Sequence, residues 1–96
     1  MRKQRVFISG AITNKENYKE HFDMAEKFLI DLDYVVINPT ILPLGLTHRE
    51  YMSICVALLD VCDCIYLLKG WEKSRGSCEE YEIAVESGKI ILYEGA

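Results

Sequence analysis

Cys64-Ile65-Tyr66-Leu67-Leu68-Lys69-Gly70-Trp71-Glu72-Lys73-Ser74-Arg75-Gly76-Ser77-Cys78-Glu79-Glu80 is the stretch on which the fold turns. Its first five residues are an unbroken apolar run, as a strand covered on both faces requires. Gly70 and Gly76 bracket the lone tryptophan, Trp71. A helix then starts, with Ser77 or Ser74 as its cap and two carboxylates in its first turn. Strand, glycine-containing loop and helix N-terminus in succession make a common site for an anionic or polar ligand.

Upstream, Thr47 and Glu50 form a capping box that starts a helix running to about Asp60. Met52, Cys55, Val56, Leu58 and Leu59 form its buried face. Before it, Tyr34-Val35-Val36-Ile37 reads as a strand ended by Asn38-Pro39-Thr40, and Ile41 to Leu46 as an irregular loop. Earlier still, Tyr18, Phe22, Ala25, Phe28, Leu29 and Leu32 recur at helical spacing up to about Asp33, behind a capping box of Thr13 and Glu16. Arg5-Val6-Phe7-Ile8-Ser9 is the first strand. Downstream, the last helix buries Ala84, Val85 and Tyr81, stops at Gly88, and leads into the strand Lys89-Ile90-Ile91-Leu92-Tyr93.

The order is therefore β-α-β-α-β-α-β over a single domain, residues 1–96. Alternating elements with continuous apolar strands predict an α/β fold: a flavodoxin-like three-layer α/β/α arrangement around a four-stranded parallel sheet. Right-handed crossovers leave few topologies, and the order 2-1-3-4 is the expected one. Its switch point lies between the first and third strands, where ligands bind beyond the carboxyl ends.

Composition narrows the function. The chain has 96 residues, half of them hydrophobic, and a net charge of −4. That suffices for a real core and argues against a nucleic-acid polymer as partner, since no basic face is evident. Arg2-Lys3-Arg5 reads as a solvated lead-in to a strand. No run is long enough to span a membrane, and no secretory signal is evident, so a cytoplasmic location with reduced thiols is expected. Cys55, Cys62, Cys64 and Cys78 lack CxxC spacing and a nearby histidine in sequence, so they read as small buried hydrophobes and no metal is expected.

The loops at the switch point supply the candidate site: Ser9, Gly10 and Ala11 after the first strand, Asn38 after the second, and Gly70, Trp71, Ser74 and Gly76 after the third. Glu80 admits two compatible readings, the N3 member of a capping box with Ser77 or a carboxylate kept ionised by the helix N-terminus and so suited to nucleophilic attack. Trp71 either stacks on a planar base or covers the edge of the core. Tyr51, with His48 and Arg49, starts the second helix on the ligand side. Asp60 and Asp63 lie at the opposite end of the sheet and read as structural.

Val6-Phe7-Ile8-Ser9-Gly10-Ala11-Ile12-Thr13, Asn38-Pro39, Glu50-Tyr51-Met52, Cys62-Asp63-Cys64-Ile65-Tyr66-Leu67-Leu68, Gly70-Trp71-Glu72-Lys73-Ser74-Arg75-Gly76 and Glu80-x-x-x-Ala84 together resemble a short bacterial and phage branch of the nucleoside 2-deoxyribosyltransferase-like superfamily. The resemblance implies transfer of 2-deoxyribose between bases, or hydrolysis of the N-glycosidic bond of a deoxynucleoside 5′-monophosphate. It implies that Glu80 attacks C1′, that Ser74 contacts a 5′-phosphate, and that Ser9-Gly10-Ala11 lines the same pocket. Two positions depart from it. Cys55 stands where the enzymes carry an aspartate, and Phe7 where they carry a tyrosine; Tyr51 is the candidate to take over their work. The fifth strand of those enzymes, and the C-terminal segment through which they complete a neighbour's site, have no counterpart in residues 1–96.

The reading is an N-glycosidase or deoxyribosyltransferase acting on a small nucleoside or nucleotide, needing no cofactor, with Glu80 as nucleophile. The alternatives are a catalytically silent nucleotide-binding module and a small interaction protein of the same fold. So small a sheet is expected to cover an apolar face by forming a homodimer or higher homo-oligomer.

Overall fold

The computed structural model describes residues 2–12 and 17–96. Four strands, β1 (Arg5–Ser9), β2 (Val35–Ile37), β3 (Cys64–Leu67) and β4 (Ile90–Tyr93), alternate with three helices, α1 (Tyr18–Asp31), α2 (His48–Asp60) and α3 (Arg75–Glu86). All pairings are parallel and the sheet order is β2-β1-β3-β4. The α/β architecture and the 2-1-3-4 order expected from the alternation are both present.

β1 and β3 are central and read as apolar runs because both faces are covered. Val6, Ile8, Cys64, Tyr66 and Leu68 meet Phe22, Ala25 and Leu29 of α1 on one face. Phe7, Ile65 and Leu67 meet Cys55 and Leu59 of α2 and Ala84 of α3 on the other. This period-two split of successive residues between two helical layers is the three-layer arrangement in chemical terms. Short 3₁₀ turns, Pro39–Ile41 and Trp71–Lys73, follow β2 and β3.

Several local expectations are corrected. Phe28 and Leu32 lie on the expected stripe of α1 but are about half exposed, since one helix cannot cover the flank toward β4. Val85 is exposed too, because it follows Ala84 around the helix and faces away from the sheet. Ile41 belongs to a 3₁₀ turn rather than to an irregular loop. The strand expected over Lys89–Tyr93 starts at Ile90. The capping box of Thr13 and Glu16 lies outside the described residues. That of Thr47 and Glu50 is present with both hydrogen bonds, Glu50 N–H to Thr47 Oγ1 at 3.1 Å and Thr47 N–H to Glu50 Oε1 at 2.8 Å.

The end of the sheet away from the switch point is tied by ion pairs. Asp63 accepts two hydrogen bonds from the Arg2 guanidinium, at 2.8 and 3.1 Å, and one from Arg5 N–H at 2.9 Å. The Arg2 hydrogen bonds foremost hold its carboxyl below the usual range. All four cysteines are free thiols, and Cys55, Cys62 and Cys64 are buried. Among the described residues, no helix is long and apolar enough to cross a membrane.

Candidate functional site

β1 and β3 end side by side and their chains diverge to opposite faces, which opens a cleft at their carboxyl ends. A cavity of about 670 Å³ occupies it. From β1 and its loop come Ile8, Ser9, Gly10, Ala11 and Ile12. From α2 come His48, Tyr51, Met52 and Cys55. The loop after β3 and the start of α3 contribute Gly70, Lys73, Ser74, Arg75, Gly76, Ser77 and Glu80, and Pro39 closes one side.

Gly10 is required by packing. A Cβ there would sit 2.9 Å from Leu68 Cδ1 and 3.0 Å from Leu68 Cβ, and Leu68 is itself fully buried. Gly76 is different: a Cβ would meet Met52 Sδ at 3.5 Å, an ordinary contact, so its smallness widens the cavity rather than relieving a clash. Gly70 carries φ +91°, a left-handed conformation that glycine adopts freely, and it turns the chain into the Trp71–Lys73 turn.

Ser74 is the N-cap of α3; its Oγ accepts from Ser77 N–H at 3.2 Å. The capping box of Ser77 with Glu80 is therefore corrected. With the cap at Ser74, Glu80 falls in the second turn of α3, out of reach of the N-cap N–H. It is 7 % exposed and turned onto the end of β1, where Ser9 Oγ donates to its Oε1 at 2.6 Å. Burial raises its pKa to about 7; the Ser9 and Cys55 side chains oppose the rise, and the Glu79 charge adds to it. The expectation of a carboxylate held ionised by the helix N-terminus is overturned, because desolvation outweighs the favourable contacts. At neutral pH Glu80 is shared between acid and anion. The neighbouring Cys55 thiol is pushed up to about 12, by burial first and then by the Glu80 charge, so it is a neutral donor and not a nucleophile.

Ser77 is the outlier of the site. Its hydroxyl is buried, it lines the cavity, and its Oγ has no hydrogen-bond partner among the described residues. Leaving a buried hydroxyl unmatched costs on the order of 1–3 kcal/mol. It stands at the N-terminal, electropositive end of a twelve-residue helix, with Lys73 and Arg75 alongside. The arrangement suits an oxyanion of a ligand.

The cavity brings together Ser9, Gly10, Ala11, Tyr51, Gly70, Ser74, Gly76 and Glu80. Asn38 and Trp71, expected among them, do not line it. Asn38 is buried, its Oδ1 accepting from Thr40 N–H and Oγ1 while its Nδ2 donates to Asp23 and Glu26 of α1. Trp71 stacks on Tyr81 of α3, ring centroids 4.9 Å apart, and covers the core edge. Tyr51 lines the cavity, but its hydroxyl donates to the Pro43 carbonyl and so holds the loop before α2. Arg49 does not line the cavity, whereas His48 does.

Ile12, Pro39, Met52, Lys73, Arg75 and Ser77 were not singled out as ligand contacts by the sequence. For Ser77 a signal existed, a hydroxyl directly after Gly76 and three residues before Glu80. Its meaning depended on which serine capped the helix. Among the described residues, no group of three or more His, Cys, Asp or Glu side chains is placed to hold a metal ion.

A family model described as a domain of unknown function, DUF4406, matches residues 4–93. No curated protein matches the chain.

Proposed function

The chain belongs to the DUF4406 family, and from its cavity we propose that it cleaves the N-glycosidic bond of a nucleoside 5′-monophosphate with Glu80 as nucleophile. One observation carries the reading: a buried carboxylate, Glu80, shares a nucleotide-sized cavity with a hydroxyl, Ser77, that has no partner among the described residues and stands at a helix N-terminus. The first suits an anomeric carbon and the second a phosphate. The resemblance to nucleoside 2-deoxyribosyltransferase-like proteins points the same way.

The 5′-phosphate sits at the start of α3. The Ser77 hydroxyl donates to it, Ser74 and the electropositive helix end add to its binding, and Lys73 and Arg75 balance its charge. The sugar then lies against the β1 loop and Glu80. In its ionised form Glu80 attacks C1′ as the bond to the base nitrogen breaks, and the bonding pair leaves with the base. The transition state has oxocarbenium character, so the carboxylate stabilises it before any covalent bond is complete. The Ser9 hydroxyl, 2.6 Å from Oε1, orients Glu80. Water, or a second base, resolves the glycosyl-enzyme and returns the electron pair to Glu80.

A second reading, nucleotide binding without turnover, is favoured by Cys55. A thiol with a pKa of about 12 cannot replace the acid that the resemblance expects at that place. One experiment separates the two. The protein and its Glu80→Gln variant are incubated with deoxynucleosides and deoxynucleoside 5′-monophosphates, and the free base is resolved by chromatography. Release by the parent alone, with monophosphates preferred, is the expected result. A nucleotide that raises the Tm without base release leaves the binding reading. Neither release nor a Tm shift refutes both.

A further inference from the structure

The proposed cleavage needs a proton for the departing base, and neither Cys55 nor Tyr51 is placed to give it: the thiol is too weak an acid and the phenol is engaged by Pro43. The cavity wall holds another group. His48, the first residue of α2, lines the cavity. Its Nε2 lies 3.2 Å from Glu79 Oε2, and Glu79 Oε1 accepts from Arg75 Nε, also at 3.2 Å. A histidine thus meets a carboxylate from the neighbouring helix, and that carboxylate meets an arginine, in a solvent-exposed chain of contacts.

This rests on the glycosidase reading above, and within it we propose that His48 is the general acid for the departing base, with Glu79 as its positioning residue. The pattern is an acid–base group oriented by a second side chain, here spanning the first turn of α2 and the second turn of α3. Glu79 engages Nε2, so Nδ1 is the ring nitrogen that would serve the substrate. The charged groups around the imidazole are Glu79 and Arg75 from α3 and Arg49 from its own helix. Gly76 keeps the way open: a Cβ there would stand 3.9 Å from His48 Cε1.

The step balances. A Glu80 oxygen forms a bond to C1′, the C1′–N bond breaks, and its electron pair passes to the base. The His48 imidazolium proton goes to a base nitrogen, so the base leaves neutral. Water then attacks C1′ and the C1′–O bond to Glu80 breaks with its pair returned to the carboxylate. The water proton goes to His48, which restores the imidazolium. The sum is hydrolysis with no other reactant.

The test compares leaving groups. Deoxyguanosine 5′-monophosphate needs its base protonated, whereas the 7-methylated nucleotide already carries a positive charge on the base and releases it neutral. His48→Gln is expected to lower kcat on the first by about 10²–10⁴-fold with little change in KM, and on the second by less than about tenfold. Glu79→Gln should show the same leaving-group bias at smaller size. An equal loss on both nucleotides marks a structural role and overturns the proposal, as does no loss on either. If Glu80→Gln abolishes release while His48→Gln does not, only this inference fails. If the parent releases base from neither nucleotide, the glycosidase reading fails and this one with it.

Discussion

Glu80→Gln isolates the electrostatics of the site. Glutamine has nearly the same shape and its carbonyl still accepts from Ser9, but it cannot ionise. In the folded protein the parent carboxyl titrates at about 7, against an ordinary value of 4.5. The fold therefore prefers the protonated acid. The stability tied to this preference is fully present below about pH 4.5 and is lost as pH rises through about 7. At about 1.4 kcal/mol per tenfold, the loss comes to about 3 kcal/mol. Every other titrating group is common to the two proteins and cancels in their difference. Urea unfolding at pH 5, 6, 7 and 8 measures it. For an m-value of about 1.5 kcal/mol/M, the midpoint of the variant should gain about 2 M on the parent between pH 5 and pH 8. A difference that stays constant within about 0.5 kcal/mol across that range would refute the claim that burial governs Glu80. The same titration bears on activity in the opposite sense. The proposed nucleophile is the anion, so release of the 7-methylated base, which needs no proton, should rise from pH 6 to pH 8 while stability falls, a trade common where a reactive group is buried.

Gly10→Ala should destabilise the fold by about 1–3 kcal/mol, because the added Cβ meets the immobile Leu68 at 2.9 Å; a melting curve showing a loss of several degrees checks it. Gly76→Ala meets only ordinary contacts, so its Tm should stay within about 2 °C of the parent. Ser77→Ala removes the unpartnered hydroxyl, and should leave Tm level or slightly raised while weakening binding of a nucleoside 5′-monophosphate severalfold by calorimetry. Iodoacetamide at pH 8 should modify half-buried Cys78 well before Cys55, whose buried thiol titrates at about 12; mass spectrometry of tryptic peptides reads the order.

Much of the fold was legible in the sequence because it rests on local signals. Apolar runs of strand length, helical stripes with capping residues, and the right-handedness of crossovers together leave the order 2-1-3-4, which the structure has. The position of the cavity follows from that order, since adjacent parallel strands whose connections leave on opposite faces must part at their carboxyl ends.

The direction of individual side chains was not legible, because it depends on how elements pack. Ser74 and Ser77 are both competent caps by residue type. The backbone chooses Ser74, and that choice carries Glu80 from an electropositive helix end into a desolvated contact with Ser9. Asn38 and Trp71 have the chemistry of ligand contacts, yet one serves its own turn and α1, and the other packs at a tilt against Tyr81. His48 and Glu79 are thirty-one residues apart and meet only because α2 and α3 pack side by side on the same face. The sequence by itself determined the elements, their order and the end of the sheet that opens. Tertiary packing alone decided which groups face the opening and in what charge state, because burial and partners across the chain set both.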